Sequence, residues 1–374
     1  MRLATYNVEN LFNRAAIMNL EGWAEGKPTL ERFAKLNGLL SQETYSATDK
    51  RLMVRLLGEL GLSRSDQGPF TLLRQNRGSL VKRSRNGEIT IVANGRSDWV
   101  GSLELVQAPV DEEAMRNTAR VMIDLKADVL AVVEAESRPA LRDFNTEIIG
   151  GLGGDPFSHV MLIDGNDERG IDVGVAACAG FPIGTMRSHV DDRVDAGPLI
   201  FSRDCPEFYL AMPSGLRLVL LVNHFKSKGY GSLSDSAKRR FAQASRVKEI
   251  YNSLIEQGEQ YVAVVGDLND TPDSDALKPL LGDTTLKDAF THKCFDDGGY
   301  PGTYGSCTAT NKIDYLLLSP ELFLKVKAGG VYRKGMWPGS RPVRWETYPE
   351  IIKKENAGSD HAACLLYTSD AADE

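Results

Sequence analysis

Short apolar runs recur along the chain, and several of them end in an acid, an amide or a histidine. The run Tyr261–Val265 predicts a buried strand that stops at Gly266 and carries Asp267 and Asn269 at its carboxyl end. These two residues are two positions apart, so on an extended backbone they project to the same side. A carboxylate and a carboxamide placed there can hold a hard cation, a water or a phosphoryl oxygen. The competing interpretation is an Asx-turn that Pro272 completes.

The same arrangement recurs at other predicted strands. The polar residues concerned are Asn7 after LATY, Glu134 after VLAVV, Asn223 and His224 after LVLLV, Asp314 within KIDYLLL, and Asp360 with His361 in SDHAA. Each has a local alternative: Asn7 as a turn residue, or Glu134 as a solvated strand end. Likewise, His224 could be a hydrogen-bonded core histidine and Asp314 the partner of Lys312. Because open α/β sheets place ligands at the carboxyl ends of their strands, this recurrence predicts one convergent polar site.

Many predicted strands alternate with few predicted helices. Strands are predicted over 2–7, 129–133, 157–163, 171–177, 183–190, 199–202, 207–212, 216–222, 261–265, 303–306 and 313–318, and helices over 111–126, 139–149 and 235–256. This mixture favours mixed β-sheets over a doubly wound parallel sheet.

The segment from about residue 13 to residue 110 has a pattern of its own. Leucines at helical spacing precede Gly61, a helix stop signal, and Asn86 with Gly87 predicts a hairpin turn further on. Residues 74–96 carry six cations, at positions 74, 77, 82, 83, 85 and 96, and one acid, Glu88, which gives +5 (six minus one). These basic hairpins either contact a nucleic-acid backbone or form a solvated structural face.

Composition narrows the classes of protein. With 374 residues, 42% hydrophobic and 25% charged, the chain has the composition of a soluble globular protein. Its formal net charge of −7 provides no global basic field, so binding a polyanion requires a local basic patch or a metal. No secretory signal and no run of ~20 apolar residues is visible. The five cysteines lack CxxC spacing, which favours reduced thiols. We therefore expect a cytoplasmic protein, with secretion left open.

The stretch CLLYTSDAADE at 364–374 requires a separate interpretation. It looks like an in-frame translation of a transposon adapter used in sequencing-library preparation. We therefore expect a single domain over residues 1–363 with an insertion at about 13–110, an artefact tail over 364–374, and a natural final strand that is missing. A genuine polar C-terminal tail is the alternative, and resequencing the 3′ end of the gene separates the two.

Seven motifs together resemble the endonuclease/exonuclease/phosphatase family, which has the deoxyribonuclease-I-like fold. They are TYNVEN, DVLAVVEAE, RGIDVGV, NHFKSK, GDLND, KIDYLLLS and SDH. The resemblance covers residues 1–12 and about 111–363, and GDLND with SDH is its most specific part. It implies a four-layer α/β sandwich, in which two mixed β-sheets pack face to face with helices outside. It also implies an active site at one edge, where strand ends from both sheets converge.

Residue by residue, the resemblance implies a metal-dependent site. It assigns Glu134 to the metal, with Asn7 beside it and Asp360 near the same Mg²⁺ or Mn²⁺, ions that suit hard oxygen ligands. It assigns Asp267 to orienting or deprotonating the attacking water and Asn269 to contacting the phosphate. It assigns His361, polarised by Asp314, to a phosphoryl oxygen and makes His224 a second active-site histidine. The residues that it implies as further phosphate contacts are Asn223, Arg169 and Lys226. The family commonly has Gln where this chain has Val133, and Glu136 is a competing metal ligand.

In-line attack on a phosphodiester builds negative charge that a divalent cation and imidazolium groups offset. The sequence therefore predicts a divalent-metal-dependent phosphodiester hydrolase, and specifically a nuclease acting on DNA. The first alternative is a phosphatase or phosphodiesterase acting on a phosphorylated small molecule or lipid headgroup. The second is a catalytically inactive binding module. DNA versus RNA, endo- versus exonucleolytic action, one metal or two, and the oligomeric state stay open.

Overall fold

The computed structural model describes residues 1–9, 11, 15–19, 23–84, 87–107, 111–167, 169–195, 197–228 and 233–369. In chain order its strands are β1 (Arg2–Asn7), β2 (Thr71–Arg77), β3 (Val81–Arg83), β4 (Ile89–Ile91), β5 (Val100–Leu105), β6 (Val129–Ala135), β7 (His159–Ile163), β8 (Asp172–Ala177), β9 (Ile183–Arg187), β10 (Glu207–Ala211), β11 (Arg217–His224), β12 (Tyr261–Asp267), β13 (Lys287–Asp288), β14 (Phe295–Asp296), β15 (Asp314–Leu318), β16 (Val326–Tyr332) and β17 (Ala363–Thr368). Its α-helices are α1 (Trp23–Leu40), α2 (Ala47–Glu59), α3 (Glu112–Leu125), α4 (Arg138–Asp143), α5 (Leu233–Glu256), α6 (Lys278–Leu281) and α7 (Pro320–Leu324). A π-helical turn at Phe144–Ile149 follows α4, and 3₁₀ turns lie at Ala16–Asn19, Arg96–Asp98, Ala289–Thr291, Ala309–Asn311 and Lys354–Asn356.

The chain forms two compact units. The large unit comprises residues 1–12, 110–228 and 232–374, and the small unit comprises residues 13–109 and 229–231. Within the described ranges, no helix combines the length and the apolar character that crossing a bilayer requires.

Two mixed sheets form the large unit. The strand order is β14-β16-β17-β1-β6-β8-β7 in the first sheet and β13-β15-β12-β11-β10-β9 in the second. In the first sheet β1 runs parallel to β6, and in the second β11 runs parallel to β12. Because parallel strands point the same way, the carboxyl ends of each pair lie at one edge of their sheet.

Side-chain alternation along the strands builds the layers of the large unit. On β6, Val129, Ala131 and Val133 pack against the second sheet, whereas Leu130 and Val132 point the other way and pack against α3. Helix α5 covers the outer face of the second sheet in the same manner. The order helix, sheet, sheet, helix is a four-layer α/β sandwich, which confirms the predicted fold class.

The boundaries of α3 follow from its sequence. Asp111 caps the helix, since its Oδ1 accepts from the backbone N–H groups of Glu113 at 2.9 Å and Ala114 at 3.1 Å. Lys126 ends the helix in the left-handed conformation, with φ 46°. The predicted helix over 111–126 is therefore confirmed to within its caps.

The small unit has its own apolar core beneath α1 and α2, which includes Leu36, Met53 and Trp99. Strand β2 pairs with β5, and β3 pairs with β4 as a hairpin. The predicted turn residue Asn86 and the cation Arg85 lie outside the described residues.

Several of the predicted basic residues in the small unit have structural partners. Arg74 pairs with Glu104 at 2.7 Å, and Arg83 pairs with Asp66 at 2.7 Å. Arg96 donates to the carbonyl oxygen of Gly101 at 2.8 Å. These three arginines are thus engaged within the unit, which favours the structural interpretation for them over contact with a nucleic-acid backbone.

Two predicted strands are wrong. Residues 199–202 and 303–306 are irregular, with only the isolated bridges Arg193–Leu199 and Tyr304–His361 in the described residues. The apolar run at 199–202 misled the prediction because Ile200 and Phe201 pack into the core under α5 instead of pairing with a strand. Conversely, β13, β14 and β16 were not predicted.

The C-terminal stretch takes part in the fold. Residues 364–368 lie in β17, which pairs with β1 on one side and with β16 on the other. This chain therefore has a strand at that position, and the expectation that the natural final strand is missing stays a prediction. The adapter origin of residues 364–374 stays a prediction, and residues 370–374 lie outside the described ranges.

Candidate active site

Strand ends from both sheets carry polar side chains at one edge of the sandwich. Asn7 ends β1, His224 ends β11 and Asp267 ends β12, while Glu134 lies next to the last residue of β6. Asp314 begins β15, which runs antiparallel to β12 and places Asp314 opposite Asp267. The structure thus brings together polar side chains that lie as far apart in the sequence as Asn7 and Asp314, 307 positions (314 minus 7).

Asp267 is held by three donors. The backbone N–H of Asn269 donates to its Oδ1 at 2.8 Å, and the Asn269 side-chain amide donates to its Oδ2 at 3.1 Å. The side-chain amide of Asn7 donates to the same Oδ2 at 3.4 Å. Burial and the neighbouring carboxylate of Asp314 raise the pKa of Asp267 to about 7. A fixed carboxylate with a pKa near neutrality is suited to act as a general base.

His361 and Asp314 form a buried pair. Nδ1 of His361 lies 2.9 Å from Oδ2 of Asp314, and its Nε2 lies 3.9 Å from Oδ2 of Asp267. Burial opposes the imidazolium charge, but Asp314 and Asp267 outweigh it and raise the pKa of His361 well above its usual range. His361 is therefore a charged donor whose Nε2 faces the carboxylate of Asp267.

Glu134 reaches the site through a β-bulge. Regular alternation would put it on the outer face with Leu130 and Val132, but the β6–β8 register shifts between Val133 and Ala135. Glu134 takes a left-handed conformation there, with φ 67°, and its Oε1 lies 3.5 Å from Nε2 of His224. The bulge thus turns the glutamate toward the gap between the two sheets and leaves its side chain 21% exposed.

The Gly266 that precedes Asp267 is required by the close approach of β11. Its φ is 120°, and a Cβ built there would lie 2.0 Å from the carbonyl oxygen of Asn223. Asn223 itself lies on the opposite face of β11 from His224 and is fully buried beside Cys205. Its predicted phosphate contact has no support from this geometry.

A cationic cluster lies beside His224. Arg169 pairs with Asp167 at 2.7 Å, and the fully buried Arg203 pairs with the same carboxylate at 2.8 Å. Burial, followed by the charges of Arg203 and Arg169, lowers the pKa of His224 well below its usual range. Burial and the same two arginines lower the pKa of Lys226 to about 7. The structure therefore groups the predicted Arg169 and Lys226 around Arg203, a residue that the sequence interpretation missed.

The buried carboxyl of Asp172 lies beside this cluster, and its effect on the free energy of unfolding can be measured as a function of pH. Burial, together with Asp164 and Asp167, raises its pKa to about 7 although Gly165 N–H donates to its Oδ1 at 2.8 Å. The folded-state pKa of Asp172 exceeds its unfolded-state pKa, so the folded protein favours the protonated carboxyl. The stability that this protonated carboxyl contributes is fully present below about pH 4 and is lost as pH rises to about 7. Asp172→Asn should therefore raise the unfolding free energy by about 2 kcal/mol at pH 8, and less at pH 5.

Urea unfolding at a series of pH values measures this effect, with Asp155→Asn at an exposed position as the matched control. A difference between Asp172→Asn and wild type that does not change with pH would contradict the assignment.

Two residues of the site escaped the sequence interpretation. Oε2 of Glu9 accepts from the backbone N–H of Asp360 at 2.7 Å, which ties the loop before β17 to the end of β1. Tyr304 lies with its ring 4.8 Å from the ring of His361 and is 39% exposed. Both contacts join segments that are distant in the sequence, so no local sequence pattern indicated that Glu9 or Tyr304 belongs to the site.

The predicted metal ligands lie near one another but not in one compact group. Among the described acidic, histidine and cysteine side chains, the compact group is Asp267, Asp314 and His361, whose ligand atoms lie within 4.8 Å of one another. The charge of Asp360 first, then burial, and then the charges of Glu9 and Glu134 raise the pKa of Tyr304. Hard oxygen donors and excess negative charge at this place fit a divalent cation such as Mg²⁺.

The fold and the grouped strand ends define a class of layered α/β phosphoester hydrolases. A model of the endonuclease/exonuclease/phosphatase family matches residues 107–319, and this chain belongs to that family. Membership supports hydrolysis of phosphoester bonds. A search of curated proteins finds no match.

Several solved structures are similar to this chain. A mannosyl-6-phosphatase from Bacteroides thetaiotaomicron is 16% identical, with 69% of this chain and 91% of that chain covered and a TM-score of 0.52. A family member from the same organism is 16% identical, with 68% and 88% covered and a TM-score of 0.49. The human Nocturnin catalytic domain is 15% identical, with 70% and 88% covered and a TM-score of 0.47. At these identities the likeness concerns the fold alone.

Proposed function

We propose that the protein is a divalent-metal-dependent nuclease that hydrolyses phosphodiester bonds of DNA by in-line attack of water. The observation that carries the proposal is the pairing of a buried, oriented carboxylate with a charged histidine at one edge. Asp267 has a pKa of about 7, and Nε2 of His361 lies 3.9 Å from it. A base and a cationic donor at this spacing suit attack on a phosphoryl centre.

Each residue has a defined part in the proposed reaction. Asp267 orients the attacking water and accepts its proton, while Asn269 and Asn7 hold the carboxylate in place. The bond from the water oxygen to phosphorus forms as the P–O bond to the leaving sugar oxygen breaks, and that oxygen takes a proton from solvent water. His361, kept protonated by Asp314, donates to a non-bridging phosphoryl oxygen as negative charge builds there. His224, whose pKa is lowered, is neutral at pH 7 and acts as a hydrogen-bonding group instead of a cation.

Glu134 and Asp360, with the side-chain oxygen of Asn7, would hold the divalent cation. When bound, such an ion polarises phosphoryl oxygens and neutralises charge that develops on them. The carboxylates of Glu134 and Asp360 are 21% and 35% exposed, respectively, and so are accessible to an ion from solvent.

Glu134→Ala should weaken Mg²⁺ binding by about 10–100-fold, because it removes one hard oxygen ligand. The measurement is the shift of the melting temperature against Mg²⁺ concentration, which does not depend on activity. Glu147→Ala, the same change at an exposed position of the large unit, is the matched control. Identical Mg²⁺ titrations for Glu134→Ala and wild type would remove Glu134 from the metal site.

The test of the proposed function is hydrolysis of plasmid DNA, single-stranded RNA and a panel of phosphomonoesters, each with Mg²⁺, Mn²⁺ or EDTA. Cleavage of DNA that EDTA abolishes is the expected result. Preferential hydrolysis of the monoesters would support the small-molecule phosphatase alternative. Absence of hydrolysis under every condition would support the inactive binding module.

A further inference from the structure

The loop that follows β16 is the most basic aromatic stretch beside the active site. Residues 333–345, RKGMWPGSRPVRW, carry four cations, no acid and two tryptophans in a chain whose net charge is −7. We call this stretch the basic loop. Cations interleaved with aromatic rings are typical of surfaces that bind unpaired nucleic acid.

The basic loop is anchored next to His361. Met336 packs with Cys307 and Ala362 in a small buried cluster, and Trp345 packs against that cluster. Ala362 directly follows His361 in the chain. Trp345 also meets Tyr300 edge to face, with ring centroids 5.4 Å apart. The loop therefore has a fixed position relative to the proposed phosphoryl donor.

The cations of the basic loop divide into two groups. Arg333 is buried and donates to the carbonyl oxygens of Asp297 at 2.8 Å and Gly302 at 3.0 Å. Lys334 pairs with Glu346 at 2.8 Å. Arg333 therefore holds the loop in place, whereas Lys334 forms an ion pair at the surface.

Arg341 and Arg344 form the second group. Neither makes an ion pair with a carboxylate in the part of the chain that the structure describes. Arg341 is exposed and is followed at the loop tip by Val343, which is 65% exposed. The backbone around Arg344 is fixed on both sides, since its N–H donates to Pro338 O at 3.1 Å and its carbonyl accepts from the Tyr300 hydroxyl at 2.6 Å. The guanidinium of the half-buried Arg344 lies over the Trp345 ring, with its Cζ 5.9 Å from the ring centre. The pre-ordered loop thus carries one exposed guanidinium and one stacked beside an aromatic ring.

We propose that the basic loop, through Arg341 and Arg344, binds the phosphates of an unpaired nucleic-acid strand next to the scissile phosphate, with the exposed ring of Tyr304 stacking on a base. The proposal rests on the proposed function, because the scissile phosphate is taken to lie at Asp267 and His361. A strand supplies further phosphates beyond the one in the site, whereas a phosphorylated small molecule has none to offer the loop. Exposed aromatic rings stack on bases only where the bases are unpaired.

The test compares Arg341→Ala/Arg344→Ala with Lys287→Ala/Lys327→Ala. Both double variants remove two positive charges. Lys287 pairs in register with Leu318, and Lys327 follows the Val326–Thr368 pair, so both control lysines lie at the opposite end of the sheets from the active site. The probe is a fluorescein-labelled single-stranded DNA of about 12 nucleotides, and the measurement is its fluorescence anisotropy over a range of salt concentrations.

Arg341→Ala/Arg344→Ala should weaken binding of the oligonucleotide about tenfold and should reduce the slope of log K against log salt by about 1.4, which is about 0.7 for each phosphate that is no longer neutralised. The lysine control should leave the slope unchanged. Tyr304→Leu should weaken binding, and Tyr304→Phe, which keeps the ring, should not. Three results would overturn the proposal. The first is an equal reduction in affinity in both double variants, and the second is equal affinity for a duplex of the same sequence. The third is loop-dependent binding to phosphatidylserine vesicles instead of to the oligonucleotide.

Hydrolysis separates this proposal from the proposed function. For Arg341→Ala/Arg344→Ala, the ratio of kcat/KM on the oligonucleotide to kcat/KM on bis(p-nitrophenyl) phosphate should fall about tenfold. If wild type hydrolyses the small diester but binds no oligonucleotide, the loop proposal fails and the phosphoesterase stands. If wild type binds the oligonucleotide through the loop but hydrolyses nothing, the proposed function fails and the loop proposal stands.

Discussion

Asp267→Asn is expected to lower kcat by about 10³-fold while the protein stays folded. The amide keeps the shape of the side chain and can still accept from the Asn269 backbone N–H, but it cannot take a proton from water. In wild type, the pKa of about 7 means that the required carboxylate forms as pH rises, so kcat/KM should increase between pH 6 and pH 8. Steady-state kinetics over this pH range measures both effects.

The matched control for Asp267→Asn is Asp270→Asn, the same chemical change three positions further along the chain. Asp270 pairs with Lys228 at 2.6 Å and with the buried Arg240 at 2.9 Å, so its loss should lower stability and leave kcat within a few-fold of wild type. If Asp267→Asn kept kcat within about tenfold of wild type, Asp267 would not be the base.

His361→Ala is also expected to lower kcat by about 10³-fold, because it removes a charged donor to the phosphoryl group. Asp314→Asn tests the same donor indirectly. Without the carboxylate charge at 2.9 Å, the pKa of His361 falls, so the alkaline decline of activity should begin about one pH unit lower. A pH profile of kcat/KM measures this shift.

The control for these variants is His189→Gln. His189 is buried between Asp192 at 2.9 Å and Glu207 at 2.7 Å, away from the proposed chemistry, so its replacement should affect stability and not the pH profile. An unchanged alkaline limb in Asp314→Asn would show that Asp314 does not set the protonation state of His361.

The sequence predicted the parts of the site that depend on strand ends. Asp267 and His224 follow long apolar runs, and Asp314 precedes one. Because each apolar run predicts a strand, their positions beside these runs place the three residues at strand ends, at an edge of a sheet. The four-layer order also follows from the alternation of apolar residues on strands such as β6. These features are local, and local patterns can be read from one chain.

The remaining features depend on contacts between distant segments. The inward direction of Glu134 comes from a bulge against β8, which the apolar run before it does not indicate. Arg203 is fully buried, yet nothing near it in the chain identifies Asp167 as its partner. The predicted phosphate contact at Asn223 ignored the alternation of β11, which directs neighbouring residues to opposite faces. Tertiary pairing decides the first two, whereas local alternation decides the third.

The position of β1 has a consequence for folding kinetics. This strand lies between β6 and β17, and the amino group of Met1 donates to the carbonyl oxygen of Thr368, 367 residues away. Such a pair raises the contact order, and a loop of this length must close before the first sheet is complete. His361 lies just before β17, so the proposed active site is complete only once β17 has paired with β1.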